Sequence, residues 1–246
     1  MERALLLIHG FPQDRTLWAP QVSALRMHAR VLAPDLRGFG DDRRGIPSRM
    51  TMDAYADDLI ALLDAQGIGT AVIAGLSMGG YIALSLVERF PARVAALALC
   101  NTRATADTDE GRDGRYATAQ RAMEHGMAVI ARGMVPQLLA PRTRSERPHL
   151  AAHVEAMMAR QCPEAVAAAA LGMAARPDRT HVLPHIGVPT VVITGEMDTL
   201  MPLPTSRLMA DAVPDARLVV IPGAAHLSNL EDPARFNTTL LELLNT

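Results

Sequence analysis

Short, uninterrupted apolar runs alternate along this chain with longer segments of helical periodicity, and that alternation leaves few folds open. The runs fall at 3–8, 30–33, 71–74, 94–99, 190–194 and Arg217–Ile221. Each is continuous rather than every-other-residue, the pattern of strands buried on both faces. Helices are predicted over about 17–28, 52–66, 78–90, 206–213 and 233–244. Asp232-Pro233 is a start signal for the last, an N-cap followed by proline at the first helical position. Strand, helix, strand in repetition predicts an α/β fold: a mostly parallel sheet flanked by helices.

One region breaks the pattern. From 104 to 185 no strand is legible, only helical text rich in alanine, methionine and arginine, interrupted by six prolines from Pro136 to Pro184. Residues 112–115 and 142–147 are locally polar and read as turns. The expected organisation is a core of 1–103 and 186–246 with a helical cap at 104–185. The chain's 246 residues suit one domain with such an insertion. The cap methionines Met123, Met127, Met134, Met157, Met158 and Met173 read as core filler before substrate contacts.

Between the third apolar run and the helix after it stands Gly75-Leu76-Ser77-Met78-Gly79, a G-x-S-x-G pentapeptide. Strand, sharp turn, helix is the setting in which this pattern becomes a nucleophile elbow. The turn lifts the serine hydroxyl above the sheet, and a side chain at either glycine would collide with a neighbouring element. A serine hydroxyl needs a base to take its proton, and that base needs an acid to fix its tautomer. Open α/β sheets build their sites at the carboxyl ends of strands. Asp198 follows the run at 190–194, and His226 follows Arg217–Ile221, giving the order Ser77, Asp198, His226.

Other residues compete for these roles. Glu196 stands two positions from Asp198 and could orient the histidine, and Asp35 also ends a strand, although its glycine-rich surroundings suggest a loop brace. His9 ends the first run beside Gly10 and reads as shaping a loop. His28, His125, His149, His153, His181 and His185 lie in helices or the insertion, where solvated or capping roles are the default. The negative charge of a tetrahedral intermediate calls for preorganised N–H donors. The Met78 amide, at the start of a helix, and the Phe11 amide, in the loop His9-Gly10-Phe11-Pro12, are the candidates for this oxyanion hole.

Composition excludes several chemistries. All 24 basic residues are arginine, so Schiff-base catalysis, a Ser-Lys dyad and the S-x-x-K class are ruled out. The net charge of −2 advertises neither nucleic acid nor an anionic membrane as a partner. Cys100 and Cys162 lack metal or redox spacing and read as free thiols. The N-terminal apolar run is too short for a signal peptide or membrane span, so a cytoplasmic location is expected.

Taken together, five blocks resemble the α/β-hydrolase superfamily with a helical lid. They are residues 9–12, 34–40, 75–80, 195–198 and 223–231. The last block, and Asn101-Thr102-Arg103-Ala104, are most similar to the branch of 3-oxoadipate enol-lactonases and small carboxylesterases. The resemblance implies Ser77 as nucleophile, His226 as general base and then acid, Asp198 as orienting acid, and Phe11 and Met78 as oxyanion donors. It also implies a small ester or lactone substrate with no cofactor and no metal. Carbon–carbon bond hydrolysis and cofactor-free perhydrolysis remain open on the same residues, as does a ligand-binding role without turnover. Activity should fall toward acid pH as a histidine base gains a proton. Arg103, Arg132 and Arg144 are candidates to bind a substrate carboxylate. Two features depart from the family pattern. Few residues precede the first strand where family members have two antiparallel strands, so a shortened sheet with an exposed edge, open to pairing with another subunit, is expected. Asp41 also stands where serine is common.

Overall fold

The apolar runs form six strands in the computed structural model, which describes residues 3–42 and 44–246. They are β1 (Ala4–Ile8), β2 (Arg30–Leu32), β3 (Ala71–Leu76), β4 (Val94–Cys100), β5 (Thr190–Gly195) and β6 (Arg217–Ile221). All pair in parallel, in the order β2-β1-β3-β4-β5-β6. Continuous hydrophobicity is explained by burial on both sides. Along β1, Leu6 and Ile8 join one apolar cluster while Leu5 and Leu7 join the other.

Helices cover each face. Three of them, α2 (Met52–Ala65), α3 (Met78–Arg89) and α9 (Leu203–Ala212), pack on the first cluster. The second is covered by α1 (Ala19–Leu25), the one-turn α10 (Ser228–Glu231) and α11 (Pro233–Leu244), with Trp18 and Phe236 rings 5.9 Å apart. The Asp232 side chain caps α11 by accepting from the Arg235 amide, as its sequence signal predicted. The single helix predicted over 17–28 is instead a 3₁₀ turn, Arg15–Trp18, running into α1.

Between β4 and β5 lie α4 (Asp109–His125), α5 (Met127–Leu138), α6 (Pro141–Glu146), α7 (Pro148–Ala159) and α8 (Pro163–Ala174). Two polar stretches read as turns are helical. Residues 112–115 lie inside α4, and most of 142–147 is α6. Thr108 caps α4 by accepting from Gly111 N–H, and Asp109 and Glu110 favour its positive end. Pro141, Pro148 and Pro163 open helices rather than break them, because the first helical position needs no N–H donor.

Among the described residues no strand precedes β1, and β2 forms the sheet edge. That edge is only three residues long and is followed within two residues by Pro34, features that blunt strand addition. No helix among the described residues is long and apolar enough to cross a membrane.

Candidate active site

Ser77 joins β3 to α3 with φ 55° and ψ −112°, a conformation that costs a non-glycine residue on the order of 1–3 kcal/mol. Its surroundings hold it there. Ser77 N–H donates to Cys100 O at 2.9 Å, and its carbonyl accepts from Gly80 N–H at 2.9 Å and Thr102 Oγ1 at 2.8 Å. The flanking glycines are steric necessities. A Cβ at Gly75 would lie 2.2 Å from Gly79 O, and one at Gly79 would lie 2.1 Å from Ile8 O.

His226 and Asp198 meet although 28 positions apart. His226 Nδ1 donates to Asp198 Oδ2 at 2.9 Å, both side chains being almost wholly buried. The same oxygen accepts from Asn101 Nδ2 at 2.8 Å, and Oδ1 accepts from the Leu200 and Met201 amides at 2.9 and 3.0 Å. Burial alone would raise the Asp198 pKa. The charge and hydrogen bond of His226, with the Asn101 and Met201 donors, outweigh it and hold the carboxyl below its ordinary value. Asn101 is itself fixed by donating to Ala225 O at 3.2 Å and accepting from Ser228 Oγ at 2.6 Å.

The rivals have other partners. Glu196 accepts from Gly223 N–H at 2.9 Å. Asp35 accepts from the Arg15 and Asp41 amides at 2.7 and 2.9 Å and pairs with the Arg15 guanidinium, bracing the loop after β2. Asp41 also pairs with Arg15. His28, His125, His149, His153, His181 and His185 are exposed. His9 is fully buried, with Nδ1 donating to Gly10 O at 2.9 Å and Nε2 accepting from Leu36 N–H at 3.0 Å. A carbonyl can only accept and an amide can only donate, so these bonds require a neutral ring. Burial lowers the His9 pKa despite the Gly10 carbonyl and the nearby Asp35 and Asp14 charges.

Ser77, His226 and Phe11 line one cavity of about 350 Å³. Met78, at the first position of α3, is buried beside it in sequence, and its amide has no acceptor within its own helix. The helical insertion supplies the opposite wall through α4 and α5, including Ile130, Met134 and Leu138. Of the methionines read as filler, Met134 and Met173 line the cavity, whereas Met127, Met157 and Met158 are core and Met123 is half exposed. Among the arginines suggested for a substrate carboxylate, Arg103 lines the cavity. Arg132 instead pairs with Glu155, and Arg144 donates to Leu139 O.

Four site features escaped the sequence. Arg115 and Arg121 join Arg103 in the cavity wall, and their spacing with Thr118, every third residue of α4, was the available signal. Asn101 has φ 46°, a clue visible only in the backbone. Glu231 is buried. Its Oε1 accepts from the Ala225 amide at 2.6 Å, while Oε2 accepts from the Ala140 amide at 2.9 Å and from the Thr143 hydroxyl. One carboxylate thus ties the His226 loop to the α5–α6 junction. Among the described residues no group of three or more histidine, cysteine or acidic side chains is placed to hold a metal ion.

The family model described as the alpha/beta hydrolase fold matches residues 3–125. A thermophilic esterase from Thermogutta terrifontis, solved with malate bound, superimposes with a TM-score of 0.96 at 42% identity. The match covers 99% of this chain and 89% of that one. The enol-lactonase from Burkholderia xenovorans gives a TM-score of 0.93 at 30% identity, covering 100% and 92%. The 2-hydroxymuconate semialdehyde hydrolase of a Pseudomonas species is 31% identical over 255 aligned residues, covering 98% of this chain and 86% of its own. The chain belongs to the α/β-hydrolase fold family, and the three relatives just described are an esterase, an enol-lactonase and a semialdehyde hydrolase.

Proposed function

We propose that this protein is a serine hydrolase of carboxylic esters or lactones. The observation that carries the reading is the Asp198–His226 hydrogen bond beside a strained Ser77, with His226 and Ser77 in the wall of one cavity. His226 Nδ1–H bound to Asp198 leaves Nε2 as the basic nitrogen. It takes the Ser77 proton as Oγ attacks the substrate carbonyl, and the oxyanion is held by the Phe11 and Met78 amides. His226 returns the proton to the leaving alcohol, and an acyl-enzyme forms. Water, deprotonated by His226, then attacks the acyl carbonyl, and His226 returns that proton to Ser77 Oγ as the acid is released and the free enzyme restored. Asp198 stays ionised and stabilises the imidazolium in both steps. The helical insertion acts as a cap that shapes the substrate cavity.

The test is hydrolysis of 4-nitrophenyl butyrate by the wild type and by Ser77→Ala. Loss of turnover in a variant that keeps its circular dichroism spectrum and Tm supports the reading. Undiminished turnover overturns it. Similarity to the 2-hydroxymuconate semialdehyde hydrolase supports a second reading, carbon–carbon bond hydrolysis on the same residues. Product analysis on a vinylogous diketone separates the two.

A further inference from the structure

Glycine inside a helix is disfavoured, because it gives up more backbone freedom than other residues and leaves the helix backbone open to water. A chain keeps one where a left-handed turn or a close approach demands it. Gly172 of α8 is such a case, since a Cβ there would lie 1.7 Å from Met50 O. Gly133, in the middle of α5, meets neither condition. Its backbone is helical rather than left-handed, and a Cβ built on it would find no atom of the described residues within 4 Å. Folding does not ask for glycine at this position. The space beside it belongs to the cavity that holds Ser77 and His226.

The α5 residues of the cavity wall fall in two rows at helical spacing. Ile130, Met134 and Leu138 form the inner row, in which Ile130 and Leu138 are buried. Val129, Gly133 and Gln137 form the outer row, and all three are exposed. The outer row is therefore the rim of the cavity mouth. Gly133 is a gap in that rim one side chain wide, with Val129 one turn before it and Gln137 one turn after. Val129 leaves an apolar side chain 59% exposed at the edge of the gap, a surface that an apolar chain leaving the cavity would cover.

Neither helix of this wall is free to retreat. The end of α5 is held by Leu227 N–H, which donates to Leu138 O at 3.0 Å, and by the Glu231 carboxylate on the Ala140 amide. Helix α4 is tied through Arg115 to Asp107, which also pairs with Arg103 and Arg176. Burial opposes the Asp107 charge, but the Arg176 hydrogen bonds and the Arg115, Arg176 and Arg103 charges hold its pKa down to about 2, so these ties persist at neutral pH. A side chain at position 133 would take its volume from the gap.

We infer that Gly133 is a specificity-determining residue. It keeps open a gap in the rim through which an uncharged apolar chain of the substrate, longer than the cavity of about 350 Å³ encloses, extends away from the scissile carbonyl. The chain lies over Gly133 and against Val129, and its length is limited by what stands at position 133. The inference rests on the reading of Ser77 and His226 as the reacting centre.

The experiment compares kcat/KM for long and short chains on each side of the ester: 4-nitrophenyl octanoate against 4-nitrophenyl acetate, and octyl acetate against ethyl acetate. The long-to-short ratio cancels any loss of active protein, so it reads the rim and not the fold. The ratio is expected to fall in at least one pair, modestly in Gly133→Val and by about tenfold or more in Gly133→Phe. Valine is included because its branched Cβ cannot turn both methyl groups away from the gap. The control is Gly114→Phe, at an exposed interior glycine of α4 that also has open space around it but does not line the cavity. Its ratios should match those of the wild type. Ratios unchanged in both Gly133 variants, or lowered equally by Gly114→Phe, overturn the inference and leave ester hydrolysis standing. If no ester is hydrolysed, the parent reading fails by itself. Calorimetric titration with octanamide then decides the gap: binding weakened in Gly133→Phe but not in Gly114→Phe supports it, and equal affinity in all three proteins or no binding to the wild type overturns it.

Discussion

Asn101 donates its side-chain amide to Asp198 Oδ2, the same oxygen that accepts the His226 Nδ1 proton. The two donors share one lone-pair-bearing atom from opposite partners, so the carboxylate is aimed as well as charged. Asn101 can do this because it follows β4 directly in a left-handed conformation, φ 46°, with its amide anchored on Ile193 O at 2.7 Å.

Replacing Asn101 by alanine should therefore loosen Asp198 without removing any proposed reacting group. A hydrogen bond to a charged group is worth roughly 1.5–3 kcal/mol, so kcat should fall by about tenfold or more while KM changes little. Asn101→Asp should be worse, since a second carboxylate would repel Asp198. Steady-state kinetics on a chromogenic ester reads both, and equal kcat for wild type and Asn101→Ala would show the contact to be idle.

Glu231 links the His226 loop to the helical insertion through three accepted hydrogen bonds. Glu231→Gln keeps the shape but turns one acceptor into a donor facing a donor. The expected cost is about 1–3 kcal/mol, with a Tm lower by roughly 2–4 °C per kcal/mol. Thermal melts followed at 222 nm measure it; an unchanged Tm would mean the junction is held by other contacts.

Acid should destabilise the fold in two stages. The folded His9 pKa is lowered, so the unfolded chain binds a proton first, and stability is lost as pH falls through the ordinary histidine range. The folded Asp107 pKa is about 2 against an ordinary value of 3.8, so its contribution is complete above that range. It disappears as pH falls toward 2, an effect on the order of 2 kcal/mol. Urea titrations between pH 7 and 3 should show both slopes. His9→Gln should flatten the first and Asp107→Asn the second, each variant starting from a lower plateau; parallel curves for wild type and variants would contradict the assignment.

Gly79→Ala should be poorly tolerated because its Cβ would stand 2.1 Å from a β1 carbonyl, an atom that cannot swing aside. Overpacking of this kind costs at least about 1–3 kcal/mol. Low soluble yield or a depressed denaturant midpoint is the expected result, and a wild-type midpoint would show that β1 and α3 can separate.

Much of the fold was legible because parallel strands covered on both sides need continuous apolar runs. Arg217–Ile221 and Pro233–Leu244 lie where periodicity and capping put them. The insertion was read less well. Residues 142–147 look like a turn because a short helix on the surface has little apolar face to display, and α6 has one buried residue, Thr143. Ser77 was nominated by its G-x-S-x-G turn, and Asp198 and His226 by their places after strands and their order, since strand ends in a parallel sheet converge on one edge. What order could not supply was contact. Asn101 and Glu231 act through bonds spanning 97 and 91 positions, and of the three arginines proposed from sequence only Arg103 reaches the cavity, from the loop after β4, whereas Arg132 and Arg144 sit on α5 and α6 with other partners. Local sequence determined the elements, because backbone propensity and amphipathic period are local properties. Only the tertiary structure decided which polar groups share a buried atom and which charges line the cavity, because those depend on where distant segments are packed.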